Sequence, residues 1–248
     1  MADECIHGFE AGMCDVCYPA AVPEKPKPVR APAGTRAASA RVAGAPRIAP
    51  FSLATQRFFH VTHLRNLEAI MHTGEIRADV EPVVDVSSAV ARELRAGADL
   101  ADGTTVAQHV AFYASPTAER WTELRDGAAG PHWSDEARAA KPADFVMLAV
   151  PAVQFGADIT AADADAAAPA TRFAIGTAEA TQLLRRVRVD DPEFLNTEIL
   201  IPHAVPFDSV ALIGVANDRI RDQVRDMIAR AGGYAPKVAV YPPWFAAE

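Results

Sequence analysis

At 248 residues, 50% of them hydrophobic and 23% charged, the chain has room for one globular domain with accessory segments, which excludes a wholly disordered polypeptide and a small disulfide-stapled scaffold. No apolar run approaches the ~20 residues that span a bilayer, and the acidic start Met-Ala-Asp-Glu lacks the basic and apolar regions of a secretory signal, so no membrane partner and a cytoplasmic location are expected. A net charge of −8 excludes coating of nucleic acid by bulk electrostatics and leaves local basic segments to guide any such partner.

Charge and composition divide the chain into three. Residues 1–18 carry Asp3, Glu4, Glu10 and Asp15, no Lys or Arg, and all three cysteines. The spacing Cys5-x-His7-x6-Cys14-x2-Cys17 brings three soft thiolates and an imidazole together, the four ligands that tetrahedral zinc prefers. Such a closed site would be structural, because no position is left for a metal-bound water. The alternative readings are a redox dithiol at Cys14 and Cys17, or incidental cysteines in a flexible tail. Residues 19–50 hold seven prolines, six basic residues and the single acid Glu24, the composition of an extended basic linker. Residues 51–248 are left with a charge of −9 and nearly all the aromatic residues, and form the expected folded domain.

Within that domain Arg57 to Val61 reads as a strand, and Thr62 as the N-cap of a helix running to Thr73. Leu64, Leu67, Ile70 and Met71 recur at helical spacing, and Gly74 stands where a left-handed C-terminal cap belongs. Val86, Val90 and Leu94 predict a second helix, capped by Asp85 or Ser87 and ending near Arg95 before Gly97. His109 to Tyr113, Phe145 to Val150, Thr197 to Ile201 and Val210 to Val215 are short β-rich runs that predict one mixed sheet. Ala157 to Ala170 reads as an irregular surface loop. The last helix is expected over Asp218 to Ala231, between the cap Asn217 and the stop Gly232-Gly233, with Lys237 to Tyr241 closing the sheet. Strands and helices do not alternate regularly, so the expected class is α+β.

Three groups of residues could carry chemistry. His60, Thr62 and Asn66 straddle the first strand-to-helix junction, where unpaired N–H groups and a positive dipole end suit a nucleotide. On spacing alone the simpler reading is a cap, a strand histidine and a solvated asparagine. Glu198 opens the apolar run Ile199-Leu200-Ile201, where a carboxylate can be held rigidly at a cleft, though most such residues are strand-edge charges. Arg95 sits in the last turn of the second helix, where a solvated cation is the ordinary occupant. Arg185, Arg186 and Arg188 form a small basic cluster that could touch phosphates. The dinucleotide-fingerprint, P-loop, zincin and nucleophile-elbow motifs are absent from the sequence.

Taken together, the block Phe59-His60-Val61-Thr62-His63-Leu64-Arg65-Asn66-Leu67 with Gly74, then Glu93-Leu94-Arg95 and Val110-Ala111-Phe112-Tyr113, resembles the DarT family. The resemblance resumes at Phe145 to Val150 and at Thr197-Glu198 through Val205-Pro206-Phe207, and covers roughly residues 57 to 240. It implies the split mixed β-sheet of ADP-ribosyltransferases, NAD as co-substrate, and transfer of ADP-ribose to a base of single-stranded DNA, with thymidine the expected acceptor. It also implies a toxin or defence enzyme with a macrodomain-type antitoxin as partner. By resemblance His60, Thr62 and Asn66 bind NAD, Glu198 is the catalytic glutamate and Arg95 the catalytic arginine. The segment from Ala114 to Trp121 departs from the family pattern: Trp121 could still stack on a base, while Glu119 places a negative charge beside the phosphate path. That departure leaves protein or RNA open as acceptor, and a catalytically inactive nucleotide-binding module as a further reading.

Overall fold

A computed structural model describes residues 51–246, so the expected zinc ligands Cys5, His7, Cys14 and Cys17 and the basic linker lie outside the described residues. The described residues belong to a unit spanning Ala49–Glu248. The first strand, β1 (Arg57–His63), runs directly into helix α1 (Leu64–Thr73). His63 rather than Thr62 caps that helix, its Nδ1 accepting from the Arg65 N–H at 3.2 Å. Thr62 is held extended because it pairs with Val146 in a neighbouring strand, which moves the expected cap one residue on. Gly74 closes the helix in the left-handed conformation, at φ 74°, as its position predicts.

β2 (Glu75–Arg77) precedes a connection that ends in α2 (Ala89–Ala96). Ser88 caps α2, accepting from the Ala91 N–H at 3.1 Å. The expected caps are otherwise employed: Asp85 accepts from the Ser87 N–H and pairs with Arg92, and Ser87 bridges to Trp133. Val90 and Leu94 are each 53% exposed and no residue of α2 is buried, so the apolar spacing that predicts this helix does not mark a core-facing side.

The remaining elements follow in order. They are β3 (His109–Tyr113), α3 (Glu119–Arg125), α4 (Asp135–Ala139), β4 (Phe145–Pro151), β5 (Thr160–Ala162), β6 (Phe173–Ile175) and α5 (Thr177–Asp190). Then come β7 (Glu198–Pro202), β8 (Ala204–Pro206), β9 (Leu212–Val215), α6 (Asp218–Ala231), β10 (Lys237–Val240) and α7 (Pro242–Phe245). An eight-stranded sheet has the order β10-β9-β4-β1-β3-β7-β5-β6, antiparallel except for β9 and β10, and β2 pairs separately with β8. This is the expected mixed sheet with flanking helices.

A further segment differs from expectation. β5 lies inside the stretch read as a surface loop, and its Ala161 and Ala162 are fully buried between β6 and β7. Alanine has weak strand propensity, and pairing on both sides overrides it. Helix α5 buries Ala180, Leu183 and Leu184, and its Arg185 donates to the Phe51 carbonyl at 3.3 Å.

Alternate residues of β4 enter two cores. Val146, Leu148 and Val150 pack with Leu67 of α1, Leu184 of α5 and Val224 of α6, whereas Phe145, Met147 and Ala149 pack with Trp121 of α3 and Phe245 of α7. The sheet is thus covered on both faces, as a period of two requires. Among the described residues no helix is long and apolar enough to cross a membrane. One discontinuity matters for function. β1 pairs with β4 from Arg57 to His63 and β3 with β7 from His109 to Tyr113, yet β1 and β3 meet only at Phe59 and Tyr113. Beyond that pair the sheet opens.

Candidate active site

The strand register sets a row across the opening: Phe59 faces Tyr113, and Tyr113 faces Glu198. Directly opposed residues of antiparallel strands share a face, so the three side chains lie on one side of the sheet. Glu198, the first residue of β7, is only 4% exposed. A charge so placed needs a partner. Arg95, in the last turn of α2, provides it: Nη1 donates to Glu198 Oε2 at 3.1 Å across 103 positions of sequence. Burial opposes the charge on Arg95, but Glu198 and its hydrogen bond outweigh it and raise the guanidinium pKa. Arg95 Nη2 is buried without a hydrogen-bond partner among the described residues. Burial, with the Glu198 charge behind it, raises the Tyr113 pKa, so its phenol stays protonated and can donate.

Beside Glu198 lies a cavity of about 350 Å³, lined also by Tyr113, Arg120, Glu123, His132 and Asn196. Arg120 pairs with Asp165, another lining residue, and approaches Glu123 at 3.6 Å. His132 Nε2 lies 2.7 Å from Glu123 Oε2. Gly130 leaves room for that pair, because a Cβ there would stand 2.4 Å from both Glu123 Oε1 and His132 Cε1. Glu119 lines the same cavity as Glu198. Trp121 does not line it. Its ring is fully buried, edge-on to Phe145 and Phe245, and Nε1 donates to the Trp244 carbonyl at 2.6 Å. The expected stacking surface is therefore core, and Trp121 is withdrawn from the set of base contacts.

His60 and Thr62 alternate with Phe59 along β1 and so lie on the opposite face of the sheet from the Phe59–Tyr113–Glu198 row, with His60 against Phe112, and Asn66 follows in α1. His60 Nδ1–H donates to the Ala111 carbonyl at 2.9 Å, replacing the ladder bond that β1 and β3 fail to make. Burial lowers the His60 pKa, opposed in part by that bond, so the ring is neutral and its Nε2 is an acceptor. Asn66 spends its amide on Thr62 Oγ1 at 3.2 Å and the Val84 carbonyl at 2.9 Å, and its carbonyl receives the Val84 N–H at 2.8 Å. No hydrogen bond joins these three residues to Glu198 among the described residues. The link is indirect: Asn66 fixes Val84, and the segment that Val84 belongs to leads into α2 and Arg95.

A test follows from that geometry. Asn66→Ala strips both backbone groups of Val84 of their partners, at a cost of about 1–3 kcal/mol. Turnover is expected to fall by more than about tenfold as Arg95 loses its register, since small misplacements are costly in an oriented site. Circular dichroism should be preserved. A lower melting temperature with unchanged turnover would show that Asn66 serves stability alone.

Tyr113, Arg120, His132 and Asp165 went unrecognised in the sequence as site residues. They come from β3, α3 and two loops and meet only through the fold. Tyr113 alone had a signal, as the end of the Val110 to Tyr113 block.

A mixed sheet that opens beside a buried glutamate, held by an arginine from another element, is the arrangement that the resemblance to ADP-ribosyltransferases leads one to expect. Residues 59–246 match the family described as "DarT: ssDNA thymidine ADP-ribosyltransferase, DarT", and the chain belongs to that family. The solved structure of Thermus sp. 2.9 DarT in complex with ADP-ribosylated ssDNA is similar at a TM-score of 0.66 and 18% identity, covering 77% of this chain and 97% of that one. The same protein in complex with NAD+ gives a TM-score of 0.61 at 18% identity, over 77% of this chain and 98% of that one. Thermosipho africanus DarTG in complex with ADP-ribose gives 0.60 at 18% identity, over 77% of this chain and 51% of that one. At these identities the likeness shows the fold. No curated protein sequence matches the chain.

Proposed function

We propose that this chain transfers ADP-ribose from NAD to thymidine in single-stranded DNA, with Glu198 and Arg95 as its catalytic residues. The observation that carries the reading is the buried Arg95–Glu198 pair beside the sheet opening, in a member of the DarT family. The residues present fit NAD: Arg95 Nη2 is a buried donor with no partner among the described residues, and His60 Nε2 is an unprotonated acceptor. His60 and Thr62 would hold the dinucleotide, and Asn66 would act through the Val84 segment that it fixes.

NAD supplies a ribose carbon with nicotinamide as leaving group. As that carbon–nitrogen bond breaks, positive charge develops on the ribose, and the fixed carboxylate of Glu198 stabilises it. The base nitrogen forms the new bond, its proton passes to Glu198, and nicotinamide leaves with the bonding pair. Arg95, which cannot lose its own proton, stabilises the negative charge developing on the base.

Mass spectrometry of mixed single-stranded DNA incubated with the full chain and NAD tests this, beside RNA and protein pools. An ADP-ribose increment on thymidine is expected. An increment confined to RNA or protein would move the acceptor, and NAD binding without any transfer would leave a nucleotide-binding module. As a partner, a macrodomain-type antitoxin that removes the mark fits this reading.

The donor set Cys5, His7, Cys14 and Cys17 supports one structural zinc ion in the segment before the basic linker. Metal analysis after mild purification should find about one zinc per chain, lost in Cys14→Ser and Cys17→Ser. Retention of zinc in both variants would sink this ligand set.

A further inference from the structure

Transfer to a base nitrogen asks two things of Glu198 that conflict. Its negative charge stabilises the ribose as nicotinamide leaves, yet the same carboxylate receives the proton of the attacking nitrogen, and a protonated carboxyl carries no charge. Arg95 Nη1, 3.1 Å from Glu198 Oε2, sharpens the conflict, because a bonded cation favours the carboxylate and so weakens it as a proton acceptor. A second base to which the proton moves on would let Glu198 stay charged.

The groups that share the 350 Å³ cavity with Glu198 can be compared for that role. Arg120 is a cation with no acceptor, and the Tyr113 phenol already holds its proton. Asn196 has no basic group, and Asp165 is paired with Arg120. Glu119 and Glu123 are carboxylates, weaker bases than an imidazole. His132 supplies the nitrogen base of this lining, with a basicity suited to proton transfer near neutral pH. A polar space of this size has room for water to carry a proton across it.

His132 is held as a base should be. Its Nε2 lies 2.7 Å from Glu123 Oε2, and a carboxylate can only accept, so Nε2 carries the ring proton. Nδ1, which makes no hydrogen bond among the described residues, is then the acceptor. Glu123 orients the ring and balances the charge it gains, as the carboxylate does in a catalytic triad. Gly130 abuts the pair closely enough to exclude a Cβ, and the Trp133 ring stands edge-on at 5.0 Å. The His132 carbonyl accepts from the Ser88 N–H at 2.9 Å, which ties it to the cap of the helix that carries Arg95. At 21% exposure against 5% for Glu198, the imidazole stands between the buried carboxylate and solvent. The other charged groups about it are Glu119 and Arg120 on α3, Asp165 and Glu198 across the cavity, and Arg138, which donates to the Gly130 carbonyl at 3.0 Å.

Resting on the transfer reading above, we propose that His132 is the terminal proton acceptor of the reaction, taking on the proton that Glu198 receives, with Glu123 as its positioning residue. The N–H bond of the attacking base breaks as its nitrogen bonds the ribose carbon, and nicotinamide leaves with the bonding pair. The proton crosses from the Glu198 carboxyl through water in the cavity to His132 Nδ1. Glu198 is again a carboxylate beside Arg95, and the imidazolium gives its proton to solvent.

The test follows transfer by the full chain, with NAD and a thymidine-containing single-stranded oligonucleotide, as pH is varied. A proton acceptor must be neutral, so turnover of the unaltered chain should fall as pH drops through the histidine range, about pH 6–7. His132→Asn is expected to lose that limb and at least about tenfold in kcat at pH 7, the KM for NAD and for DNA staying within about twofold. Added imidazole should restore part of the loss in proportion to its concentration. Glu123→Gln keeps an acceptor for Nε2 but removes the charge, and should move the limb to lower pH. Native turnover in His132→Asn overturns the proposal, as does a loss that is equal at every pH and indifferent to imidazole. Should His132→Asn fail to fold, the unaltered chain and Glu123→Gln decide: a level profile in the first, or an unmoved limb in the second, overturns it. Absence of any transfer by the unaltered chain overturns the transfer reading and this proposal with it.

Discussion

Glu198→Gln is expected to abolish transfer to DNA, lowering turnover by at least about 10²–10³-fold, with the protein still folded. Glutamine has almost the same volume and keeps an acceptor for Arg95 Nη1, whose bond to Glu198 is 3.1 Å long. What it removes is the negative charge. In a site where the native side chain is 5% exposed, water cannot supply a substitute, so the charge developing on the ribose meets only the Arg95 cation. The same substitution leaves that guanidinium without its counter-charge, so some loss of thermal stability accompanies the loss of rate. The two effects separate experimentally. NAD binding by calorimetry and the far-ultraviolet spectrum should survive, while nicotinamide release and the oligonucleotide mass increment disappear. Turnover within tenfold of the native chain would remove Glu198 from the catalytic role.

How far this arrangement is legible in the sequence depends on the range of the interaction. α6 forms over Asp218–Ala231, with Asn217 accepting from the Ile220 N–H, because cap and periodicity act locally. Gly74 and the β3 strand are local in the same sense. α2 was legible as a helix but not in its packing: Val90 and Leu94 have the right spacing and face solvent. β5 was illegible because two neighbouring strands, rather than alanine's own preference, make Ala161 and Ala162 extended. The site follows the same rule. Neither Glu198 nor Arg95 is distinctive by itself, and a family resemblance singled them out where spacing could not. Arg120 and Asp165, 45 positions apart, carry no sequence signal at all, since their ion pair exists only once β5 is in place beside β7. Trp121 shows the converse hazard, an aromatic residue in a suggestive segment that the second core absorbs whole.

Arg95→Lys and Arg95→Ala should both inactivate the enzyme but differ in stability, and the difference distinguishes a charge from a shaped donor. Arg95 uses Nη1 on Glu198 and leaves Nη2 buried with no partner among the described residues. Lysine retains the positive charge near Glu198 but cannot present two donors in a fixed plane, so it can hold the carboxylate or reach the substrate, not both. Arg95→Lys is therefore expected to melt within a few degrees of the native chain and to lose about 10²-fold in transfer. Alanine removes the cation altogether and leaves Glu198 buried and uncompensated. Breaking a fully buried pair costs about 3–5 kcal/mol, and the cost here should fall below that range because the Arg95 side chain is 23% exposed. Melting temperature and single-turnover transfer, measured on both variants, give the answer. If lysine restores native turnover, the guanidinium plane is irrelevant and Arg95 acts as a counter-charge to Glu198. If alanine keeps native stability, water entering the opening already screens the carboxylate, and the pair is not the dry electrostatic unit from which the mechanism is derived.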